Sequence, residues 1–230
     1  MRHVIFDTET TGLSPREGHR LVEIGAVEMA GGSLTGRTFH VYIDPERDMP
    51  EEAYRVHKIS EEMLRGKPKF ADPEVGQAFC DFVGDATLVA HNAPFDVGFL
   101  AHELRLAGLP TFKCDVIDTV QIARRKFPGS PVSLDALCSR FKIDTSQRER
   151  EGHGALLDAR LLAEVWIELT GGAQGGFTLT ARQDEDAEGE PGMMLETPRR
   201  DGPRPVLLTE EERAAHAAFV TEMAEPVWQR

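Results

Sequence analysis

Apolar residues in the first part of the chain follow the short runs and the alternation that are typical of β-strands. The run Val4 to Phe6 opens the chain. Leu21 to Met29 is rich in aliphatic residues, and Arg37 to Ile43 alternates polar residues with aromatic and aliphatic ones. The turn signal Gly31-Gly32-Ser33 lies between these two segments. We therefore expect three strands that form a meander.

From residue 51 onward, helical spacing of apolar residues alternates with short strand-like runs, which predicts an α/β domain. Strands are expected at Thr87 to Ala90 and Asp115 to Ile117. Helices are expected at Glu51 to His57, Pro73 to Val83, Phe95 to Ala107, Thr119 to Lys126, Ser133 to Phe141 and Ala155 to Leu169. The pair Gly171-Gly172 is a helix stop, so the globular domain is expected to span residues 1–172.

Beyond this point the composition changes. Residues 173–208 are rich in Gly, Pro and charged residues and poor in apolar ones, which predicts a flexible linker. Thr209 and Glu212 then have the spacing of a capping box, and Ala215, Phe219 and Met223 would share one face of the helix that follows. Residues 209–230 therefore either bind a partner or fold back on the domain, and the spacing favours neither alternative.

Composition limits the class of protein. With 230 residues, of which 40% are hydrophobic, the chain can build one well-buried domain and an appendage. We find no run as long as a membrane-spanning helix, and the N-terminus reaches acidic residues too soon for a signal peptide, so we expect a cytoplasmic protein with no membrane partner. Cys80, Cys114 and Cys138 form no CxxC pair and are expected to be reduced thiols.

The net charge of −13 predicts that the protein alone holds nucleic acid weakly, because phosphate binding depends on Lys and Arg. Metal-binding carboxylates would add to this negative charge, whereas bound cations would reverse its sign locally. The basic clusters Arg124 to Lys126 and Arg140 to Arg150 could touch phosphates, but we expect them on a solvated surface.

Asp7 and Glu9 close the first apolar run. Alternate side chains of a strand leave the same face, so the two carboxylates would lie side by side. Such a pair is a candidate seat for hard cations such as Mg²⁺ or Mn²⁺, although a solvated strand end would show the same pattern.

Two further acids and a histidine are candidate catalytic residues because of their positions in predicted elements. Asp96 lies in the first turn of a predicted helix, and Asp158 lies within an apolar helix, where it needs a partner. His153 lies between Gly152 and Gly154, in a loop before that helix. Four carboxylates could hold two divalent ions for displacement at phosphorus, and a histidine could deprotonate the attacking water. Spacing alone does not show that these residues meet in space.

Three segments of the chain resemble the exonuclease motifs of the DEDDh family, in the same order and spacing. They are Asp7-Thr8-Glu9-Thr10-Thr11-Gly12, His91-Asn92-Ala93-Pro94-Phe95-Asp96 and His153-Gly154-Ala155-Leu156-Leu157-Asp158-Ala159. The resemblance extends over about residues 3 to 172. Within the family, the phrases Glu23 to Glu28 and Ser133 to Cys138 are similar to the proofreading subunits of bacterial replicative DNA polymerases.

This resemblance implies a ribonuclease H-like fold, a mixed five-stranded sheet flanked by helices, with a flexible C-terminal tail. It implies that Asp7, Glu9, Asp96 and Asp158 hold two Mg²⁺ or Mn²⁺ ions and that His153 is the general base. The implied reaction removes mispaired 3′-terminal nucleotides from DNA as 5′-monophosphates. The residues implied to contact the terminal nucleotide are Thr10, Glu52 and His57.

The resemblance also implies partners. Residues 209–230 would bind the polymerase catalytic (alpha) subunit, and the segment that contains Gln174, Phe177 and Leu179 resembles a sliding-clamp (beta) binding peptide. A small theta-type subunit is a further partner to consider. Two alternatives remain: a stand-alone DEDDh exonuclease that acts on RNA or short oligonucleotides, and a non-catalytic adaptor, which the presence of all five residues disfavours.

Overall fold

A five-stranded mixed sheet forms the centre of the domain, as the resemblance implied. The structure is a computed structural model that describes residues 1–171 and 209–222. The strands lie in the order β3-β2-β1-β4-β5, with the first three antiparallel and β4 and β5 parallel to β1. Their bounds are β1 Arg2–Thr10, β2 Leu21–Ala30, β3 Ser33–Tyr42, β4 Thr87–Ala90 and β5 Val116–Asp118.

Helices lie on both faces of the sheet. The bounds of the helices in this unit of the chain are α1 Glu51–His57, α2 Glu61–Leu64, α3 Gly76–Val83, α4 Ala93–Leu106, α5 Thr119–Lys126, α6 Leu134–Phe141, α7 Ser146–Glu151 and α8 Ala155–Thr170, with a 3-10 turn at Pro15–Glu17. Farther along the chain, α9 spans Glu210–Glu222. The predictions missed α2 and α7, which are short and carry no apolar stripe. Helix α3 begins at Gly76 rather than at Pro73, because the Val75 amide bonds to Asp72 in a turn before it.

Two hydrophobic cores, one on each face of the sheet, hold β1 in place. Val4 and Phe6 pack on one face with α3 and α4, whereas Ile5 packs on the other face with α6 and α8. All three side chains are fully buried. The sequence of a strand that is buried on both faces is apolar at successive positions, and this explains why polar and apolar residues do not alternate before Asp7. The three cysteines are free thiols, and burial raises the pKa of Cys138 to about 11.

Helix α8 begins in direct backbone contact with β2. A methyl group placed on Gly25 would lie 2.1 Å from the amide nitrogen of Leu156. Next to this contact, the buried Glu23 carboxylate accepts a hydrogen bond from the Ala155 amide at 3.0 Å. The carboxylate thus accepts a hydrogen bond from one of the amides that the helix N-terminus leaves without a partner. The positive end of the helix dipole stabilises the negative charge of the carboxylate. Helix α8 therefore starts at a position that the backbone of β2 fixes.

Helix α9 belongs to a second unit of the chain. Its predicted capping box is confirmed: the Glu212 amide donates to Thr209 Oγ1 at 3.2 Å, and the Thr209 amide donates to Glu212 Oε2 at 2.9 Å. Phe219 is exposed, whereas Met223 and the linker 173–208 lie outside the described residues. Among the helices that the structure describes, none is both long and apolar enough to cross a bilayer.

Substitution of Gly25 tests the backbone contact. Gly25→Ala is expected to lower the free energy of unfolding by about 3 kcal/mol or more, because the added methyl group meets backbone atoms that cannot rotate away. The measurement is urea unfolding followed by circular dichroism. Gly98→Ala is the matched control, since a methyl group there would meet no atom within 4 Å. An equal, small effect of both substitutions would show that α8 does not depend on this contact.

Candidate active site

The C-terminal ends of β1 and β4 bring three of the predicted acids to one edge of the sheet. Asp7 and Glu9 leave the end of β1, and Asp96 follows β4 in the first turn of α4. Asn92 joins β4 to α4 in a left-handed conformation with φ 70°, which asparagine adopts more readily than most residues. The Thr8 hydroxyl donates a hydrogen bond of 2.7 Å to Asp96 Oδ1 and fixes that carboxylate next to β1.

His153 and Asp158 reach the same edge from the start of α8. Gly152 ends α7 with a φ of 85°, and Gly154 is the N-cap of α8. Five residues do not share a face of one helix, but this turn brings His153 Nδ1 to 3.2 Å from Asp158 Oδ2. Asp158 is buried, whereas 42% of the His153 side chain is exposed. The histidine can therefore be reached from solvent.

All five predicted catalytic residues line one open cleft of about 340 Å³. Its other lining residues are Thr8, His91, Phe95, Ser133, Leu134, Asp135 and Arg148. Glu9, His153 and Asp158 each place one ligand atom within 4.8 Å of the others, which is close enough to hold a metal ion. The structure thus brings together acids as far apart in the sequence as Asp7 and Asp158.

The carboxylates of the cleft resist ionisation. Burial, with the charges of Asp96, Glu9 and Asp158, raises the pKa of Asp7 well above its usual range. Burial is also the main cause that raises the pKa of Glu9 to about 8 and the pKa of Asp96 to about 7. The pKa of Asp158 is raised by burial and opposed by Arg148 and His153. Such groups favour a bound cation, because a cation compensates the charge that burial penalises.

Sequence reasoning missed Arg148, which was expected on a solvated surface. Its side chain is only 10% exposed and forms an ion pair with Asp158, with Nε 2.7 Å from Oδ1. Its Nη1 bonds to Asp135, and its Nη2 lies 2.8 Å from His153 Nδ1. The only sequence signal was an arginine five residues before the histidine, and the polar helix α7 gave no reason to place it in the cleft.

Sequence reasoning also missed the pair of Glu23 and His40. His40 Nε2 lies 2.6 Å from Glu23 Oε1, while the other Glu23 oxygen holds the Ala155 amide. Ala155 lies two positions after His153, so this pair positions the loop that carries the histidine. The pair borders a second pocket of about 310 Å³, whose lining includes Tyr42, His57 and His153.

The residues predicted to bind the terminal nucleotide differ in burial and in their position relative to the two pockets. His57 is buried, accepts a hydrogen bond from the Ile59 amide at Nδ1, and lines the second pocket. Thr10 is buried at the end of β1, and its hydroxyl donates to the Gly12 carbonyl. Glu52 is exposed in the first turn of α1 and lines neither the cleft nor the second pocket. Gln174, Phe177 and Leu179 lie outside the described residues.

Comparison with known proteins identifies the family. A family model described as exonuclease, RNase T, matches residues 4–166. The DNA polymerase III subunit epsilon of Rickettsia felis is 54% identical over 189 residues, which cover 80% of this chain and 81% of that protein. The chain belongs to the exonuclease family. The DNA polymerase III subunit epsilon of Escherichia coli is 44% identical over 226 residues, which cover 94% of this chain and 91% of that protein.

Solved structures show the same fold for this exonuclease. Exonuclease X in complex with 5′ overhanging duplex DNA is 28% identical, with a TM-score of 0.56 over 74% of this chain and 90% of that one. The nuclease domain of 3′hExo, a DEDDh family member bound to rAMP, has a TM-score of 0.60 at 20% identity over 73% of this chain and 90% of that one. The family model and the two epsilon-subunit relatives, together with this shared fold, confirm the resemblance to the exonuclease family, and the chain is a 3′–5′ exonuclease.

The raised carboxyl pKa values predict how the stability of the exonuclease depends on pH when a chelator removes divalent ions. The folded chain keeps protons on Glu9 and Asp96 up to a pH of about 8 and about 7, whereas the unfolded chain releases them near the ordinary carboxyl values. The stabilisation from these protons is complete below the ordinary values and is lost as the pH rises through the folded ones.

The free energy of unfolding in EDTA is therefore expected to fall between a pH of about 5 and a pH of about 8. Urea unfolding at several pH values measures it. Glu9→Gln should flatten the fall, because the amide carries no titrating proton. A stability that rises over this range in the wild type would contradict the raised pKa values.

Proposed function

We propose that the chain is the proofreading 3′–5′ exonuclease of a bacterial replicative DNA polymerase and releases mispaired 3′-terminal nucleotides as 5′-monophosphates. The observation that carries this proposal is the single cleft in which four carboxylates and His153 meet. The names of the relatives support the polymerase context, because the proteins that are 44% and 54% identical are both epsilon subunits of DNA polymerase III.

The side chains of the cleft fit divalent metal ions, which the DEDDh family uses. Asp7, Glu9, Asp96 and Asp158 offer carboxylate oxygens, the donors that Mg²⁺ and Mn²⁺ prefer. Burial and, after it, the charges of the neighbouring carboxylates raise the pKa values of Asp7 and Glu9, and a bound cation would offset both effects. Two bound ions would supply the charge that stabilises the attacking and leaving oxygens of the phosphate.

In this proposal His153 is the general base that removes a proton from the attacking water. Its partial exposure lets a substrate and a water reach the ring. Gly152 and Gly154 on either side leave its backbone free to adjust. The Glu23 and His40 pair limits that freedom, because it anchors Ala155 two residues later.

The terminal nucleotide would lie across the cleft and the second pocket, which share His153 as a lining residue. His57 lies in the wall of that pocket and is proposed to contact the terminal sugar or base, with Thr10 behind it at the end of β1. Glu52 is proposed to contact the 3′ end from the exposed surface of α1. A frayed, mispaired end would reach this site at lower cost than a paired one.

The acidic charge of −13 favours delivery of DNA by partners over independent binding. We assign residues 1–172 to the nuclease domain, residues 173–208 to a linker and residues 209–230 to the segment that binds the polymerase alpha subunit. Gln174, Phe177 and Leu179 are proposed to bind the sliding clamp, and a theta-type subunit is a further candidate partner. The exposed Phe219 on α9 supports an apolar contact with the polymerase.

Two substitutions test the chemistry. Asp7→Asn should reduce release of mononucleotides from a mismatched primer to background in Mg²⁺, because the amide is a poor ligand for the ion. His153→Ala should reduce the rate by about 10²- to 10⁴-fold, which is typical for loss of a general base. Asp85→Asn is the control, since the Asp85 side chain is 98% exposed and remote from the cleft. Unchanged rates for the first two variants would refute the assignment.

Deletion of residues 209–230 tests the partner proposal. The shortened chain is expected to hydrolyse single-stranded DNA at nearly the rate of the full chain, because the cleft lies within the first 171 residues. It should lose binding to the polymerase alpha subunit in analytical size-exclusion chromatography. Binding that survives the deletion would place the contact on the nuclease domain.

A further inference from the structure

A side-chain cation already lies among the carboxylates of the cleft. The Arg148 guanidinium places Nη2 3.0 Å from Asp158 Oδ2 and Nε 2.7 Å from Asp158 Oδ1. Both side chains are largely buried, at 10% and 5% exposure. Its Nη1 bonds to the exposed Asp135, which holds the far end of the guanidinium. Only the contact of Nη2 with Oδ2 is a hydrogen bond; Nε and Oδ1 approach each other as an ion pair, and neither atom has a hydrogen-bond partner among the described residues.

The same guanidinium engages the histidine of the cleft. Arg148 Nη2 lies 2.8 Å from His153 Nδ1. Two groups compete for Nδ1: Arg148 Nη2, which can only donate, lies 2.8 Å away, and Asp158 Oδ2, which can only accept when ionised, lies 3.2 Å away. The shorter contact forms when the ring proton is on Nε2. The lone pair of Nδ1 is then used by Arg148 and is not free to take a proton from water. One cation thus holds an acid and the histidine at once.

Arg148 and a divalent ion cannot both use Asp158 fully. The guanidinium contacts both carboxylate oxygens, and two cations that share these oxygens within a few ångström would repel each other strongly in a partly buried cleft. Withdrawal of Arg148 is sterically open, because its side chain also borders an adjoining pocket of about 510 Å³, formed by Asp135, Ser139, Ile143, Thr145 and His153. Helix α7, which carries Arg148, ends at Gly152 next to His153.

We propose that Arg148 is a built-in competitor of the metal: it neutralises Asp158 and occupies His153 Nδ1, and a divalent ion must displace it to complete the site. Arg148 is in this view a positioning residue that sets metal affinity and couples metal binding to release of the histidine. The inference rests on the proposed metal site, and it assigns the arginine a role opposite to that of a phosphate-binding residue.

The test uses the full chain with Arg148→Gln, and Arg150→Gln as a control on the same helix. Binding of Mn²⁺ alone is measured by electron paramagnetic resonance, and the melting temperature is measured in EDTA and in saturating Mn²⁺. Arg148→Gln is expected to bind Mn²⁺ on the order of tenfold more tightly, because a positive charge beside Asp158 is removed. It should also melt at a lower temperature in EDTA and gain more from Mn²⁺ than the wild type, since Asp158 has lost its partner.

Arg150 is exposed, so Arg150→Gln should change neither quantity. Arg148→Met provides a second variant if Arg148→Gln does not fold: it keeps an unbranched apolar side chain without the positive charge and should tighten Mn²⁺ binding in the same direction. Equal or weaker Mn²⁺ binding by both variants would overturn the proposal. A raised KM for DNA with unchanged Mn²⁺ affinity would also overturn it and would make Arg148 a phosphate contact.

The outcome for the wild type separates this inference from the proposed function. A wild-type chain that binds no Mn²⁺ and releases no mononucleotides would refute the metal site itself. A wild type that does both, with an Arg148→Gln variant that matches it in Mn²⁺ affinity and in melting temperature, would refute the competition alone.

Discussion

Repulsion among carboxylates that are partly withdrawn from water is the constraint on which the rest of the structure depends. Burial raises the pKa values of Asp7, Glu9, Asp96 and Asp158, and the charges of the other acids in this set raise those of Asp7 and Glu9 further. The fold prevents separation by fixing the four acids to three rigid elements. Two acids end a strand that is buried on both faces, one begins α4, and one lies in the first turn of α8.

Polar contacts made by other residues hold these acids and elements in place. The Thr8 hydroxyl holds Asp96, the Glu23 and His40 pair holds the start of α8, and Arg148 holds Asp158. Each of these contacts supplies a hydrogen-bond donor or a positive charge to a carboxylate. Asp96 and Asp158 therefore each have a stabilising contact within an acidic cleft, which suits a site whose acids act on an external cation.

Local patterns of the sequence were sufficient for most of the sheet and for the longer helices. The apolar run before Asp7, the strand Thr87–Ala90 and the helix Thr119–Lys126 were predicted with the bounds that the structure shows, or close to them. Helices α2 and α7 were missed because four and six polar-rich residues carry no period of buried positions. The convergence of the acids could be predicted only through the resemblance to a family, because strand alternation and helical spacing describe neighbours along the chain. No sequence pattern indicated the roles that Arg148, Glu23 and His40 have at the site, because their partners lie in other elements.

The contact of Gly25 with the start of α8 has a consequence for how the protein can change over time. Since main chain meets main chain there, with no side chain between, the separation between β1 and Asp158 depends on strand pairing and backbone contact rather than on the size of core residues. The apolar residues farther along α8 can therefore exchange one aliphatic for another, and the core can repack, while the spacing of the acids stays the same. The relative positions of the catalytic acids therefore do not depend on which aliphatic residues fill the core along α8.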